Sequence, residues 1–241
     1  WGDFWSIGGA WIISKEKFFQ DLNTKWVDNL KLKASIGQQG NDGIPNFNYI
    51  DMYTLVRGGQ SMLPSFSGIG NPKITWETTT NFNLGLEFNL FQNRLNGEFN
   101  FYNKKTTDML FWLSVPESMG VRGYYGNLGD IRNTGVEFTL NGDIIRTKDF
   151  TFNSGLNLSF QQNKLNTLSG TYKGQALTTS EHIAVANINA AGLTQNTGVT
   201  YLIEGQPIGV FYLPHCEGIN ANGQYIITDL DKNGTIDTGD S

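Results

Sequence analysis

Cysteine and charge are both scarce in this sequence of 241 residues. A single cysteine, Cys216, excludes a framework of internal disulfide bonds. Charged residues make up only 16% of the chain, the formal net charge is −5, and no basic run occurs. We therefore expect no nucleic acid as a partner.

Long hydrophobic runs are also missing. No apolar stretch approaches the roughly 18 residues that a membrane-spanning helix needs, which excludes a helical span. Membrane strands are still allowed, because they need only about 9 to 11 residues and are apolar on one face alone. The opening residues Trp1 to Trp5 look like the middle of a strand and not like a secretory leader, so we expect a piece of a longer chain.

The sequence does contain many glycines and aromatic residues, together with a period of two in hydrophobicity. Glycine occurs 29 times and aromatic residues make up 13% of the chain, a balance typical of β-proteins. Between Thr79 and Phe91, apolar residues such as Phe82 and Leu84 alternate with polar ones such as Asn81 and Asn83. Such alternation gives a strand one apolar face and one polar face. Strands are predicted at residues 4–13, 29–37, 79–91, 94–106, 131–142 and 149–163.

The connections between these predicted strands are sorted by length. Long loops are predicted at residues 38–78, 107–130 and 164–241, and they alternate with shorter connections such as the tight turn at Gln92 and Asn93. A transmembrane β-barrel has short turns at one end and long loops at the other, whereas a soluble sandwich has no reason to sort them. The predicted fold class is therefore all-β, an antiparallel transmembrane β-barrel segment with long extracellular loops.

At mid-span, charged residues avoid the apolar register of these strands. An Arg or Lys facing lipid at mid-span costs about 2–4 kcal/mol, so a lipid-facing side should be free of charge there. The mid-span charges fall instead on the polar register, at Lys31, Lys33, Glu87, Glu98 and Glu137. An alternative reading keeps the same strands in a secreted β-sandwich binding module, stabilised by calcium.

Several phrases along the strands carry a family resemblance. They read LKLKASIGQQGN at 30–41, NPKITWET at 71–78, FYNKKTTDML at 101–110 and NLGDIRNTGVE at 127–137. In this order they resemble the SusC/RagA-type TonB-dependent outer-membrane transporters of Bacteroidota. Departures are small: Ile36, for example, stands where that family usually has an aromatic residue.

The resemblance implies both an architecture and a function. It implies a 22-stranded barrel in the outer membrane of a Gram-negative, Bacteroidota-like cell, closed around an N-terminal plug, of which this chain covers a later part without the plug. It also implies non-enzymatic import of an oligosaccharide or peptide, driven by TonB through the missing N-terminal part. A SusD-type surface lipoprotein is the implied lid.

An Asp-rich segment near the end fits a calcium loop. Oxygen donors stand at the spacing of such a loop, and Gly234 permits its sharp turn. The predicted ligands are Asp229, Asp231, Asn233, Thr235, Asp237 and Asp240. The alternative is a metal-free turn held by hydrogen bonds from side chains to the backbone.

Aromatic residues in the long loops are candidates for contact with substrate or a partner lid, because aromatic rings stack on sugars and anchor protein surfaces. The candidates are Tyr49, Tyr53, Trp112, Tyr124 and Tyr125. His182, His215 and Cys216 lack the spacing of a metal site or a nucleophile–base pair, so no catalytic residue and no enzyme activity are predicted.

Overall fold

A computed structural model describes residues 2–22, 24–58, 61–115, 118, 120–172, 175–178, 183–188, 197–230 and 232–235. The chain forms two compact units, Trp1–Thr178 and Thr179–Ser241, which we describe separately as unit 1 and unit 2. Among the described residues, no helix has both the length and the apolar character needed to cross a membrane.

Unit 1 consists almost entirely of strands. A 3₁₀ turn (Ile13–Lys15) and a short helix α1 (Lys17–Asp21) connect its first two strands. The strands are β1 (Ser6–Ile12), β2 (Val27–Asn41), β3 (Met52–Gly58), β4 (Ser61–Gly68), β5 (Glu77–Leu90), β6 (Leu95–Thr107), β7 (Leu110–Ser114), β8 (Gly123–Arg146), β9 (Thr151–Tyr172) and β10 (Gln175–Thr178).

One antiparallel sheet dominates unit 1. Its strand order is β1-β2-β5-β6-β8-β9-β10, with β7 paired to the first part of β8 and with β3 and β4 forming a hairpin of their own. Neighbours in the sheet are neighbours in sequence apart from the hairpin inserted between β2 and β5 and the short β7. The result is an up-and-down meander, which is how a barrel wall is built.

The long connections are more structured than the sequence predicts. Strands occur within 38–78, 107–130 and 164–241, each predicted as a long loop. Segment 38–78 holds the β3–β4 hairpin, in which Pro64 pairs with Leu55. A two-stranded ribbon tolerates proline because both of its strands are edges.

Tight turns close the opposite end of the sheet. Phe91, Gln92 and Asn93 all have left-handed backbone angles, with φ of 57°, 61° and 60°. The turn is anchored to β2, since the Asn93 amide donates to the Asp28 carboxylate over 2.8 Å. Phe91 also stacks on Trp26 with ring centroids 5.9 Å apart. These contacts fix the start of β5–β6 pairing relative to β2.

The apolar face of the sheet is largely bare. Ile7 and Phe160 are each 67% exposed, and Leu156 in the middle of β9 is 48% exposed. In the described part of unit 1, no second sheet covers this face, which differs from the two-layer packing of a sandwich. We call this surface the apolar band; it comprises Leu32, Leu84, Leu86, Phe88, Phe99, Phe101, Val136, Phe138, Leu156, Leu158 and Phe160.

The buried core of unit 1 lies at the end with the long connections. Leu128 and Leu165 have no exposed surface, and Tyr124 is only 5% exposed. These side chains come from β8 and β9 at the point where the sheet leaves its alternating pattern. We call this group the loop-end core; its members are Ile69, Met109, Tyr124, Leu128, Ile131, Leu165 and Leu168.

Unit 2 contains two small antiparallel sheets. One joins β11 (Ile183–Ile188), β12 (Thr197–Leu202) and β13 (Val210–Phe211), and the other joins β14 (Cys216–Ile219) and β15 (Tyr225–Ile227). Leu202, 2% exposed, and Val199 are its buried apolar residues among those described.

Candidate functional site

The strand register brings the charged residues of the polar face together. Lys31 of β2 lies opposite Glu87 of β5, which lies opposite Glu98 of β6. In the neighbouring row, Lys33 is aligned with Gly85 and, two strands further on, with Glu137. The prediction that these charges share one face is confirmed by this pairing.

An ion-pair network links three strands on this face. Lys31 Nζ lies 3.1 Å from Glu87 Oε2, and Lys33 Nζ lies 2.9 Å from Glu87 Oε1. Lys33 also pairs with Glu98, whose carboxylate accepts a hydrogen bond of 2.8 Å from Asn100 Nδ2. Because Glu87 and Glu98 are directly opposed like charges, the shared lysine relieves their repulsion.

Gly85 is what allows Lys33 to reach across a strand. A Cβ at position 85 would lie 2.8 Å from Lys33 Cγ and 2.6 Å from Asn100 Oδ1. The lysine side chain therefore occupies the space above Gly85 on its way from β2 to Glu98 on β6. A larger residue at this position would displace it.

This network forms one side of a depression of about 460 Å³ on the polar face of the sheet. Its lining includes Lys33, Gly85, Glu98 and Tyr102, and Glu137 stands on the far side. Tyr102 lies over Gly135, where a Cβ would come 2.5 Å from the phenol oxygen. Tyr102 thus belongs to the polar face of the sheet.

Two asparagines fasten the long connection before β5 to β8. Asn127 Nδ2 donates to the carbonyls of Thr75 (2.9 Å) and Asp108 (2.8 Å), and its Oδ1 accepts from the Thr75 amide at 2.9 Å. Asn71, only 2% exposed, donates from Nδ2 to the Tyr125 carbonyl at 3.3 Å. The loop end of unit 1 is therefore cross-linked through side-chain amides.

The structure places the predicted contact aromatics in two groups. Trp112 of β7 packs edge-on against Tyr125 of β8, with ring centroids 5.1 Å apart, and is 50% exposed. Tyr124 points the other way into the loop-end core. Tyr53, 65% exposed, packs on Phe66 within the β3–β4 hairpin, and Tyr49 lies in the turn before it with 51% exposure. Substrate contact by these residues stays a prediction.

The predicted calcium loop is described only in part. Asp231, Asp237 and Asp240 lie outside the described residues. Asp229 Oδ1 accepts from the Asn233 amide at 3.1 Å, and its Oδ2 accepts from the Gly234 amide at 2.8 Å. The Thr235 amide donates to Asn233 Oδ1 at 2.7 Å. These bonds curl the segment into the tight turn that both the calcium loop and its metal-free alternative require.

Among the described residues of unit 2, those with possible chemical reactivity do not assemble into a reactive site. The His215 ring nitrogen Nδ1 is 2.8 Å from Thr228 Oγ1, while the exposed Cys216 thiol donates to the Gly218 carbonyl. His182 lies outside the described residues. Across the described part of the chain, no group of three or more His, Cys, Asp and Glu side chains is placed to hold a metal ion.

The ion-pair network is the part of the site that sequence reasoning missed. The signal for half of it was present: a tight turn between Leu90 and Leu95 fixes the β5–β6 register and so places Glu87 opposite Glu98. Two opposed carboxylates require a nearby cation. The partner Lys33 could not be assigned, because a long connection leaves the β2–β5 register undetermined.

A single-layer antiparallel meander with one apolar and one polar face, tight turns at one end and long connections at the other defines a wall of a transmembrane β-barrel. The chain belongs to the TonB-dependent receptor-like β-barrel family, whose family model matches residues 3–240. This match confirms the predicted fold class, and together with the relatives and solved structures that follow it confirms the predicted resemblance.

Curated relatives support the assignment. TonB-dependent receptor P26 of Formosa agariphila is 37% identical over 169 residues, covering 68% of this chain and 17% of its own length. TonB-dependent receptor SusC of Bacteroides thetaiotaomicron is 30% identical over 253 residues, covering 100% of this chain and 24% of its own length. This chain thus spans about a quarter or less of the relatives that it matches.

Solved structures agree in fold. The chain superposes on a structure of the RagAB peptide transporter with a TM-score of 0.75 and 30% identity, covering 93% of this chain and 23% of that one. A structure of the RagAB peptide importer in the open-open state gives a TM-score of 0.73 with 29% identity, over 95% of this chain and 23% of that one.

Proposed function

We propose that this chain forms part of the barrel wall and outer loops of a TonB-dependent outer-membrane importer of oligosaccharides or peptides. The strongest support for this proposal is the sequence match to SusC, which extends along 100% of the chain. The bare apolar band supports a lipid-facing wall, and the ion-pair network supports a polar face turned toward the interior. No catalytic step is part of this function.

The proposed partners follow from the same relatives. A SusD-type surface lipoprotein would close over the outer end, and TonB would act through a segment outside this chain. The proposed location of the protein is the outer membrane of a Gram-negative, Bacteroidota-like cell. The exposed rings of Trp112 and Tyr53 lie at the end of unit 1 that would face outward, where they could stack on sugar rings or on peptide side chains.

Uptake by intact cells tests the proposal. The gene for the whole protein is deleted, and growth is compared on defined pools of oligosaccharides and of peptides as sole carbon source. We expect growth to fail on one pool, to return with the intact gene, and to require TonB. Normal growth of the deletion strain on every pool that the parent strain uses would contradict import.

Single substitutions then test the role of the outer aromatics. Trp112→Ala should reduce uptake at limiting substrate concentration and leave the amount of assembled protein unchanged. Trp26→Ala, at the tight-turn end, is the matched control; compared at equal amounts of assembled protein, it should not affect uptake. Equal uptake by both variants and the parent would remove Trp112 from the proposed contacts.

We also propose that calcium stiffens the loop built on Asp229. Two backbone amides already converge on this carboxylate, so the turn is shaped before any ion binds. Titration calorimetry of the intact protein with calcium should show a binding heat that Asp229→Ala abolishes. Asp149→Ala, at the β8–β9 turn, should leave it unchanged. Absence of binding heat in the parent protein would favour the metal-free turn.

A further inference from the structure

Three basic residues occupy adjacent positions across the sheet. The register pairs Lys105 of β6 with Arg132 of β8, and Arg132 with Lys164 of β9. All three side chains are exposed. Because neighbouring strands lie about 4.8 Å apart, the three cations start from Cα atoms within about 10 Å of one another. We call this group the cationic row.

The cationic row lies on the same face as the apolar band. Lys105 follows Phe101 by four residues, and Lys164 follows Phe160 by four, so side chains on each strand share one face. At a rise of about 3.4 Å per residue and a tilt near 40°, the row stands roughly 10 Å beyond Phe101 and Phe160. This is the level of lipid headgroups and not of hydrocarbon.

Partners within unit 1 compensate only part of this charge. Lys105 Nζ lies 3.3 Å from the Asp130 carboxylate, and Arg132 Nε donates to Asn103 Oδ1 at 2.8 Å. Within the described residues, Lys164 forms no ion pair or side-chain hydrogen bond. Three cations therefore face one carboxylate.

This arrangement is unfavourable without an external anion. Like charges placed directly opposite on neighbouring strands destabilise a sheet, and the row contains two such pairs in succession. On the polar face, the opposed Glu87 and Glu98 are bridged by a lysine of the same chain. No equivalent bridging carboxylate stands between Arg132 and Lys164 among the described residues.

We propose that the cationic row binds the phosphate groups of an anionic glycolipid in the outer leaflet of the membrane. The long connections place this end of the sheet on the outer side. Arginine offers a planar set of donors for phosphate oxygens, and flanking lysines add charge within reach of a second phosphate. The inference rests on the lipid-facing position of the apolar band and is independent of what the protein imports.

Lipid binding to the intact protein tests this site. The protein is purified in neutral detergent and titrated with bis-phosphorylated lipid A, and bound lipid is counted by native mass spectrometry. The triple variant Lys105→Gln/Arg132→Gln/Lys164→Gln should bind at least about tenfold more weakly, since each cation near a membrane surface contributes measurably. Lipid A with its phosphates removed should bind the parent as weakly as it binds the variant.

A matched triple variant controls for overall charge. Lys25→Gln/Arg94→Gln/Lys148→Gln removes three exposed cations at the tight-turn end and should change lipid A binding less than about twofold. If the first triple variant fails to assemble, the single variant Lys164→Gln tests the site instead. Its substitution breaks no ion pair or side-chain hydrogen bond within the described residues. Its binding should fall by severalfold.

Three results would overturn the proposal: unchanged binding in the cationic-row variants, equal loss in the control variant, or displacement of lipid by equimolar inorganic phosphate. Substrate uptake is measured in parallel. Lost lipid binding with normal uptake in the cationic-row variant would support the lipid site and leave the import proposal unaffected. Normal lipid binding in that variant would overturn the lipid site, whether or not uptake changes. Failure of the parent protein to import any substrate, with its lipid binding intact, would count against the import proposal alone.

Discussion

The apolar band and the loop-end core are built from the same strands but hold their apolar side chains in opposite ways. In the band, Leu156 and Phe160 are 48% and 67% exposed. In the core, a few residues further along, Leu165 on β9 and Leu128 on β8 have no exposed surface. In the proposed barrel wall, lipid would cover the band, whereas the core is covered by the chain itself.

The loop-end core is therefore the part of unit 1 whose stability does not depend on the membrane. The middle of the sheet is stabilised by the backbone hydrogen bonds between its strands and by the ion pairs on its polar face. The loop end has side-chain packing and the Asn127 hydrogen bonds in addition. Substitutions at the two places should therefore differ in how strongly their effects depend on the surrounding lipid.

Leu128→Ala should have the largest effect. Removing a fully buried leucine side chain leaves a cavity and costs about 2–5 kcal/mol. Thermal unfolding of the intact protein in detergent, with limited proteolysis near residues 107–130, measures the loss. Leu158→Ala, in the exposed band, is the control and should shift the transition far less in detergent. Equal shifts would show that the two regions do not differ.

Leu86→Arg should act at the band and depend on the membrane. A cation at mid-span costs about 2–4 kcal/mol in a bilayer, so assembly into membranes should fail or slow strongly. Heat-modifiable mobility on gels measures assembly. Asn83→Arg, on the polar face of the same strand, should assemble normally. Normal assembly of Leu86→Arg would argue against a lipid-facing position.

Gly85→Val should have the smallest effect. Its side chain would push Lys33 away from Glu98 and break one arm of an ion-pair network whose side chains are partly exposed. Such pairs contribute about 0–1 kcal/mol each, so the unfolding temperature should fall only slightly. A double-mutant cycle of Lys33→Met with Glu98→Gln should give a coupling of the same size. No coupling would mean that the network does not stabilise the wall.

The alternation of apolar and polar residues predicted the middle of each strand well, but it predicted the strand boundaries at the loop end poorly. Residues 79–91 were predicted and Glu77–Leu90 observed, because one face is polar throughout. Strand β8 was predicted to begin at residue 131 but begins at Gly123. Between Gly123 and Gly129, glycine occupies three of the seven positions and the adjacent Tyr124 and Tyr125 fall on opposite faces, so no period of two marks this part of the strand.

The site was predictable to the same extent. The alternation of apolar and polar residues placed Lys33, Glu87 and Glu98 on one face, because the face on which a side chain lies depends only on the sequence of its own strand. Which residues touch depends on register, and the register of β2 against β5 follows from a 35-residue separation between Asn41 and Glu77 that carries its own hairpin. The cationic row was hidden for the same reason, since its members come from three strands.

The Asn127 contacts have a consequence for hydrogen exchange. Residues 69–76 form a connection without regular secondary structure. The amide protons of such segments usually exchange with solvent much faster than those of strands. Here the Thr75 amide donates to Asn127 and the Asn71 amide donates to the Asn48 carbonyl at 2.8 Å. Deuterium uptake at these two amides should therefore be as slow as in β8, and should rise together when the loop-end core opens.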